Sequence, residues 1–136
     1  MKDHIEEFKE EEFEDMTITL HTEGWFDAAH HLENYEGACK NLHGHTYLCE
    51  VWVKGKQSQL QPNGILWDFG NLKKILSEWD HAGDLTDKLG YNSTAENQVV
   101  YIYNRLKTEN KKLRFKVRIY EQIEPKKSWS EMGDWE

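Results

Sequence analysis

His43-Gly44-His45-Thr46-Tyr47-Leu48-Cys49-Glu50-Val51-Trp52-Val53-Lys54 is the stretch on which the fold turns. Its Tyr, Val and Trp content predicts a β-strand. Side chains alternate across a strand, so His43 and His45 point to one face, two residues apart. Gly44 between them leaves room for a close approach of backbone or ligand. Cys49 shares its parity with Tyr47, Val51 and Val53 and reads as a core residue.

Working outward, Thr17-Ile18-Thr19-Leu20-His21 and Trp25-Phe26-Asp27-Ala28-Ala29-His30 predict an earlier strand. After Lys54, Gly55 and the polar segment 56–64 read as a hairpin loop, with Pro62-Asn63-Gly64 as its turn and Ile65-Leu66-Trp67 as a short returning strand. Asp68 can cap a helix whose stripe is Phe69, Leu72, Ile75, Leu76 and Trp79, and which Asp80-His81 ends. Ser93-Thr94-Ala95-Glu96 fits a capping box that opens a second helix through Val99, Val100, Ile102, Tyr103 and Leu106. A last strand runs from Phe115 to Glu121. Two strands, two helices and a strand, with a long middle hairpin, predict an α+β fold with an antiparallel sheet.

The 136 residues fit one domain. Aromatics at 12% rule out a disordered chain, and a formal charge of -8 disfavours nucleic-acid backbones as partners. No apolar run is long enough to span a membrane, and the acidic N-terminus does not read as a secretory signal. Two Cys fit a reducing, cytoplasmic setting better than a disulfide scaffold. Residues 1–15 form an acidic arm, 16–124 the folded domain and 125–136 a C-terminal tail in which Trp129 and Trp135 could cover a subunit edge.

Two imidazoles on neighbouring pleats can reach one metal ion, and a catalytic zinc usually takes three protein ligands and leaves a position open. His30 and His31 are the candidates for the third; the alternative is that the histidines belong to a hydrogen-bond network. Cys39, four residues before His43, is a ligand, a buried small residue or a reactive thiolate beside a cation. Glu121 falls on the apolar parity of Phe115, Val117 and Ile119. It either emerges into water or stands at a pocket mouth, where it could take two N–H bonds from a guanidine-like edge. Asp80-His81 is either a helix-end histidine or a pair in which Asp80 fixes the tautomer of a proton-transferring His81. Glu96 is most simply a capping acid.

Six segments in order carry a resemblance: Phe26-Asp27-Ala28-Ala29-His30-His31-Leu32, Cys39-Lys40-Asn41-Leu42-His43-Gly44-His45, Gly64-Ile65-Leu66-Trp67-Asp68-Phe69, Asp80-His81, Ser93-Thr94-Ala95-Glu96-Asn97 and Val117-Arg118-Ile119-Tyr120-Glu121. From about Thr17 to Gln122 the chain resembles the 6-pyruvoyl-tetrahydropterin synthase and 6-carboxytetrahydropterin synthase family. The resemblance implies a tunnelling fold, an antiparallel sheet with two helices on one face, joined into an oligomeric barrel. It implies a homohexamer of two trimers with active sites between subunits. It also implies zinc (Zn2+) on His30, His43 and His45, Cys39 as thiol base, and Asp80-His81 as a proton relay. Glu121 would anchor the pterin, with further contacts at Thr94 and Glu96.

The short Cys-x-x-x-His-Gly-His spacing resembles the bacterial carboxy-forming enzymes of the queuosine pathway. The implied substrate is 7,8-dihydroneopterin triphosphate. A pyruvoyl-forming synthase and a non-catalytic zinc- or pterin-binding oligomer are the rival expectations. Two departures from the family pattern stand out. Ala82-Gly83-Asp84-Leu85-Thr86 after His81 is one residue longer than usual and lacks the Asn, and Asn92-Ser93-Thr94 replaces Asn-Pro-Thr.

Overall fold

Strands β1 (Thr17–His30) and β2 (His43–Lys56), 14 residues each, pair antiparallel along their whole length, from Thr17 opposite Lys56 to His30 opposite His43. The computed structural model describes residues 14–135. β3 (Arg114–Gln122) pairs with β2, and β4 (Ser128–Gly133) with β3, giving one antiparallel sheet in the order β1-β2-β3-β4. Helices α1 (Gly70–Ser77), α2 (Leu85–Leu89) and α3 (Ala95–Glu109) all lie in the β2–β3 connection. The α+β expectation holds.

Alternation puts Phe26 and Ala28 of β1, Tyr47, Cys49, Val51 and Val53 of β2, and Phe115, Val117 and Ile119 of β3 on one face. Against that face pack Leu72, Ile75 and Leu76 of α1 and Val99, Ile102 and Leu106 of α3. The α1 stripe is apolar where predicted, except that Phe69 is exposed. α1 rests closely on β1: a Cβ at Gly24 would come within 2.8 Å of Leu76 Cδ1, so glycine sets the helix-to-sheet distance there. Among the described residues, no helix is long and apolar enough to cross a membrane.

Several expectations are corrected. Ile65-Leu66-Trp67 is not a strand; Leu66 and Trp67 are buried as irregular chain closing the end of the core. The turn at Gln61–Gly64 is present, with Gly64 N–H donating to Gln61 O, but no hairpin partner follows it. β2 also extends through Gly55 and Lys56. Asp68 Oδ1 accepts the Gly70 N–H, but it does so from one residue before the cap position, which is Phe69. α1 stops at Ser77, so Asp80-His81 lies in the turn beyond it. α3 is capped by Thr94, not Ser93: Thr94 Oγ1 accepts the Asn97 N–H at 3.1 Å. α2 was not anticipated; Asp84 caps it, and Gly90 ends it in the left-handed conformation at φ 82. The 125–136 segment is no detached tail, because β4 belongs to the sheet and Met132 packs on the core. The acidic arm lies outside the described residues except Glu14 and Asp15, whose carboxylate accepts the Ser58 N–H.

Candidate metal centre and proton-relay site

His30 ends β1 and His43 begins β2, directly opposite one another; His45 lies opposite Ala28. All three side chains continue the core-facing parity, so they stand where the packed core runs out at one end of the sheet. Their ring centroids are 4.5, 4.9 and 5.1 Å apart, and one nitrogen from each lies within 4.8 Å of the others.

The hydrogen bonds determine which nitrogen faces inward. His30 Nδ1 lies 2.8 Å from the Ser93 carbonyl oxygen, and His43 Nδ1 lies 2.7 Å from that of Asn41. A carbonyl only accepts, so in each ring Nδ1 carries the hydrogen and Nε2 is a bare lone pair. Those two Nε2 atoms are 2.9 Å apart. Two facing lone pairs at that distance repel unless a cation, a shared proton or a metal ion, sits between them. His45 Nε2 is buried and has no hydrogen-bond partner among the described residues. Burial holds His45 below its ordinary pKa; the pull of Glu121 upward opposes this and the other two imidazoles reinforce it. Three converging imidazoles, two of them fixed through Nδ1 by backbone carbonyls, are the donor set of a nitrogen-liking divalent ion such as zinc.

His31, the other upstream candidate, turns away. Its Nδ1 bonds Asp84 Oδ2, and its Nε2 is 3.3 Å from Glu33 Oε1. Asp84 and then Glu33 hold His31 above its ordinary value. Cys39 lies in a short 3-10 turn (Ala38–Lys40), partly exposed, and joins none of the close donor clusters among the described residues. Cys49 is the core thiol expected: burial pushes it well up.

Asp80 and His81 are wired to the edge of β1. The Asp27 N–H donates to Asp80 Oδ1 at 2.8 Å, the His81 N–H donates to Asp27 O at 2.8 Å, and Asp80 Oδ1 is 3.0 Å from His81 Nδ1. The Asp27 N–H holds the Asp80 carboxyl below the usual range. His81 has φ 56, a left-handed conformation uncommon for a residue with a side chain and concentrated at functional sites. Its side chain is 75% exposed. An open groove of about 470 Å³ brings His81 and His45 together, with Asp27, Ala29, Gly44 and Thr46 among its lining. A Cβ at Gly44 would meet no heavy atom nearer than Ala28 O at 3.8 Å, so glycine there leaves the groove free.

Glu121 sits at a β-bulge between Tyr120 and Gln122, half-buried, with Oε1 3.7 Å from His45 Nε2. It therefore neighbours the histidine cluster. Thr94 is engaged as the α3 cap, and Glu96 is exposed on the first turn; neither joins the cluster. Sequence reasoning missed two supports. Asn92 clamps Glu33 in both directions, accepting its N–H and donating to its carbonyl. Ser93 supplies the carbonyl behind His30. The odd Asn92-Ser93 pair was the available signal for both.

The model of the family described as 6-pyruvoyl tetrahydropterin synthase matches residues 19–133. A protein of Haemophilus influenzae named 6-carboxy-5,6,7,8-tetrahydropterin synthase is 32% identical over 125 residues, covering 71% of this chain and 86% of that one. The 6-pyruvoyl tetrahydrobiopterin synthase of Dictyostelium discoideum is 32% identical over 93 residues, covering 62% and 67%. The match to a relative from Pyrococcus horikoshii is 46% identical over 57 residues, 41% of this chain, but spans only 34% of that protein's length. Among solved structures, Plasmodium vivax 6-pyruvoyltetrahydropterin synthase superposes with a TM-score of 0.60 at 18% identity over 88% of this chain and 99% of that one. That likeness concerns the fold.

Proposed function

The chain belongs to the 6-pyruvoyl tetrahydropterin synthase family, and from that premise we propose that it is a zinc-dependent 6-carboxytetrahydropterin synthase. In this reading it converts 7,8-dihydroneopterin triphosphate and one water to 6-carboxy-5,6,7,8-tetrahydropterin, acetaldehyde and triphosphate, within queuosine (7-deazaguanine) biosynthesis in the cytoplasm. The observation that carries the metal-dependent part is the 2.9 Å approach of the bare Nε2 atoms of His30 and His43. The Cys39-to-His43 spacing and relatives such as that of Haemophilus influenzae support the carboxy-forming branch.

His30, His43 and His45 would hold the zinc, which when bound supplies Lewis acidity to the substrate's side-chain hydroxyls. Glu121 accepts two N–H bonds from the 2-amino and N3 edge of the pterin, so only side-chain atoms reach the base. Thr94 and Glu96 are secondary contacts in this reading. Cys39, as thiolate, takes a proton from the side chain. His81, held by Asp80 at Nδ1, returns a proton from Nε2. The C–O bond to triphosphate breaks with its electron pair leaving on phosphate oxygen; water then adds to the side-chain carbon next to the ring, so that C–C cleavage releases acetaldehyde and leaves that carbon as the 6-carboxyl. A homohexameric ring with sites between subunits accounts for two features. Cys39 stands apart from the histidine cluster, and His81 is open to a second copy.

Incubation of purified protein with 7,8-dihydroneopterin triphosphate, with acetaldehyde, triphosphate and zinc all quantified, tests the reading. Acetaldehyde equal to triphosphate is the expected result. Triphosphate without acetaldehyde makes the protein the pyruvoyl-forming synthase, the reading favoured by the Dictyostelium relative. No consumption of the pterin triphosphate, with zinc present, leaves a binding oligomer.

A further inference from the structure

Gln98 is fully buried in α3, on the face shared with Ala95, Val99 and Ile102. A core amide costs stability unless both its ends are bonded. Here only one is. Gln98 Nε2 donates to the Ser93 carbonyl oxygen at 2.9 Å, while Oε1 has no partner among the described residues. Exchanging the two atoms would set an oxygen against a carbonyl oxygen, so the orientation is dictated chemically. An apolar side chain of the same length would avoid this cost.

The acceptor explains the amide's presence. Ser93 O is the same atom that faces His30 Nδ1, at 2.8 Å. One carbonyl with two lone pairs thus receives two donors, one from the helix and one from the imidazole. Around it, the Ser93 N–H donates to Thr86 Oγ1 at 3.1 Å, and Asn97 Nδ2 donates to Asn92 O at 2.8 Å. The Tyr47 hydroxyl closes the other side of the ring, 3.3 Å from Nδ1. The first turn of α3 therefore fixes residues 92 and 93, and through them the ring.

We propose that Gln98 is a positioning residue of the metal centre, aiming the Ser93 carbonyl so that His30 keeps its hydrogen on Nδ1 and offers Nε2 to the ion. The role of Nε2 rests on the zinc reading above; the tautomer does not.

Gln98→Met tests this, because it preserves length and removes the amide. Zinc affinity, measured by chelator competition, should weaken several-fold, toward the roughly tenfold cost of losing a ligand's supporting bond outright, because Gln98 aims that bond without making it. In the metal-free protein, long-range 1H–15N spectra should show His30 shifting from the Nδ1–H toward the Nε2–H tautomer. The Tm of that metal-free protein should equal or exceed the parent's, the reverse of what a packing residue would give. Ile102→Val, in the same helix but outside this network, should lower Tm and leave zinc affinity alone. Affinity within about twofold of the parent, with an unchanged tautomer, overturns the proposal. If the parent itself binds no zinc, the metal reading fails, and the tautomer comparison still decides whether Gln98 positions His30.

Discussion

His30 Nε2 and His43 Nε2 face one another at 2.9 Å, each ring anchored through its other nitrogen to a backbone carbonyl. If the proposed zinc occupies this gap, it relieves the repulsion between the two nitrogens, which makes metal removal informative. Stripping the protein with a chelator should lower Tm, and added zinc should restore it. At a thousandfold excess over Kd the linkage is worth about 4 kcal/mol. His43→Ala should abolish the zinc-dependent increment, read by thermal melts with and without metal; an undiminished increment would place the ion elsewhere.

Asp80→Asn keeps an acceptor for the Asp27 N–H but removes the charge beside His81 Nδ1. We expect triphosphate release to slow by about 100-fold or more, the usual contribution of a positioned proton-transfer group, with Tm nearly unchanged. Steady-state kinetics beside a melt separates this from a folding defect. Full activity in a folded Asp80→Asn protein would remove the relay.

The two thiols should behave oppositely. Cys49 is fully buried, whereas Cys39 is partly exposed. Iodoacetamide under native conditions should label Cys39 and spare Cys49, as read by peptide mass spectrometry. Cys39→Ala should retain zinc and lose turnover. Retained turnover would assign the base to another group.

Asp134 fastens the end of β4 to α3 and β3. Its carboxylate accepts from the Tyr103 hydroxyl at 2.9 Å, from Lys107 Nζ at 3.1 Å and from the Phe115 N–H at 3.1 Å. Burial works against its ionisation, but the bonds from Lys107 and Tyr103 prevail and hold its pKa below the ordinary carboxylate value. A carboxyl whose pKa is lower in the folded state stabilises above its unfolded pKa of about 3.9, and the contribution disappears as pH falls through the folded value. Asp134→Asn should therefore cost about 1–3 kcal/mol near neutrality. The Tm gap from the parent should close below about pH 4. A gap independent of pH would mean the loss is one of shape and not of charge.

The strands were legible because alternation is a direct record of a half-buried sheet: Phe26, Ala28 and His30, and likewise Tyr47 through Val53, are buried on the parity the chain displays. The histidine cluster was legible for the same reason, since parity alone puts His43 and His45 on one face. Ile65-Leu66-Trp67 misled because an apolar triplet is equally able to plug a core end as to pair in a ladder, and burial, not strand geometry, selected its residues. α2 spans five residues, too few for a helical period to register. β4 escaped notice because this edge strand buries neither face fully: Trp129 is exposed and Met132 only half-buried, so the segment read as a tail whose tryptophans cover a subunit edge. Gln98 was the signal left unread: a polar side chain on the buried stripe of a helix otherwise built from Val99, Ile102 and Leu106.

Asp80 and His81 are bonded to β1 through the amide and carbonyl of Asp27, whose carboxylate stands 4.0 Å from His81 Nε2. Replacing the side chain of residue 27 deletes neither bond, since both are made by its backbone; alanine at Asp80 removes only the first. Deuterium uptake at the Asp27 and His81 amides would report it directly, and a hydroxy-acid ester linkage introduced at either residue would cut it.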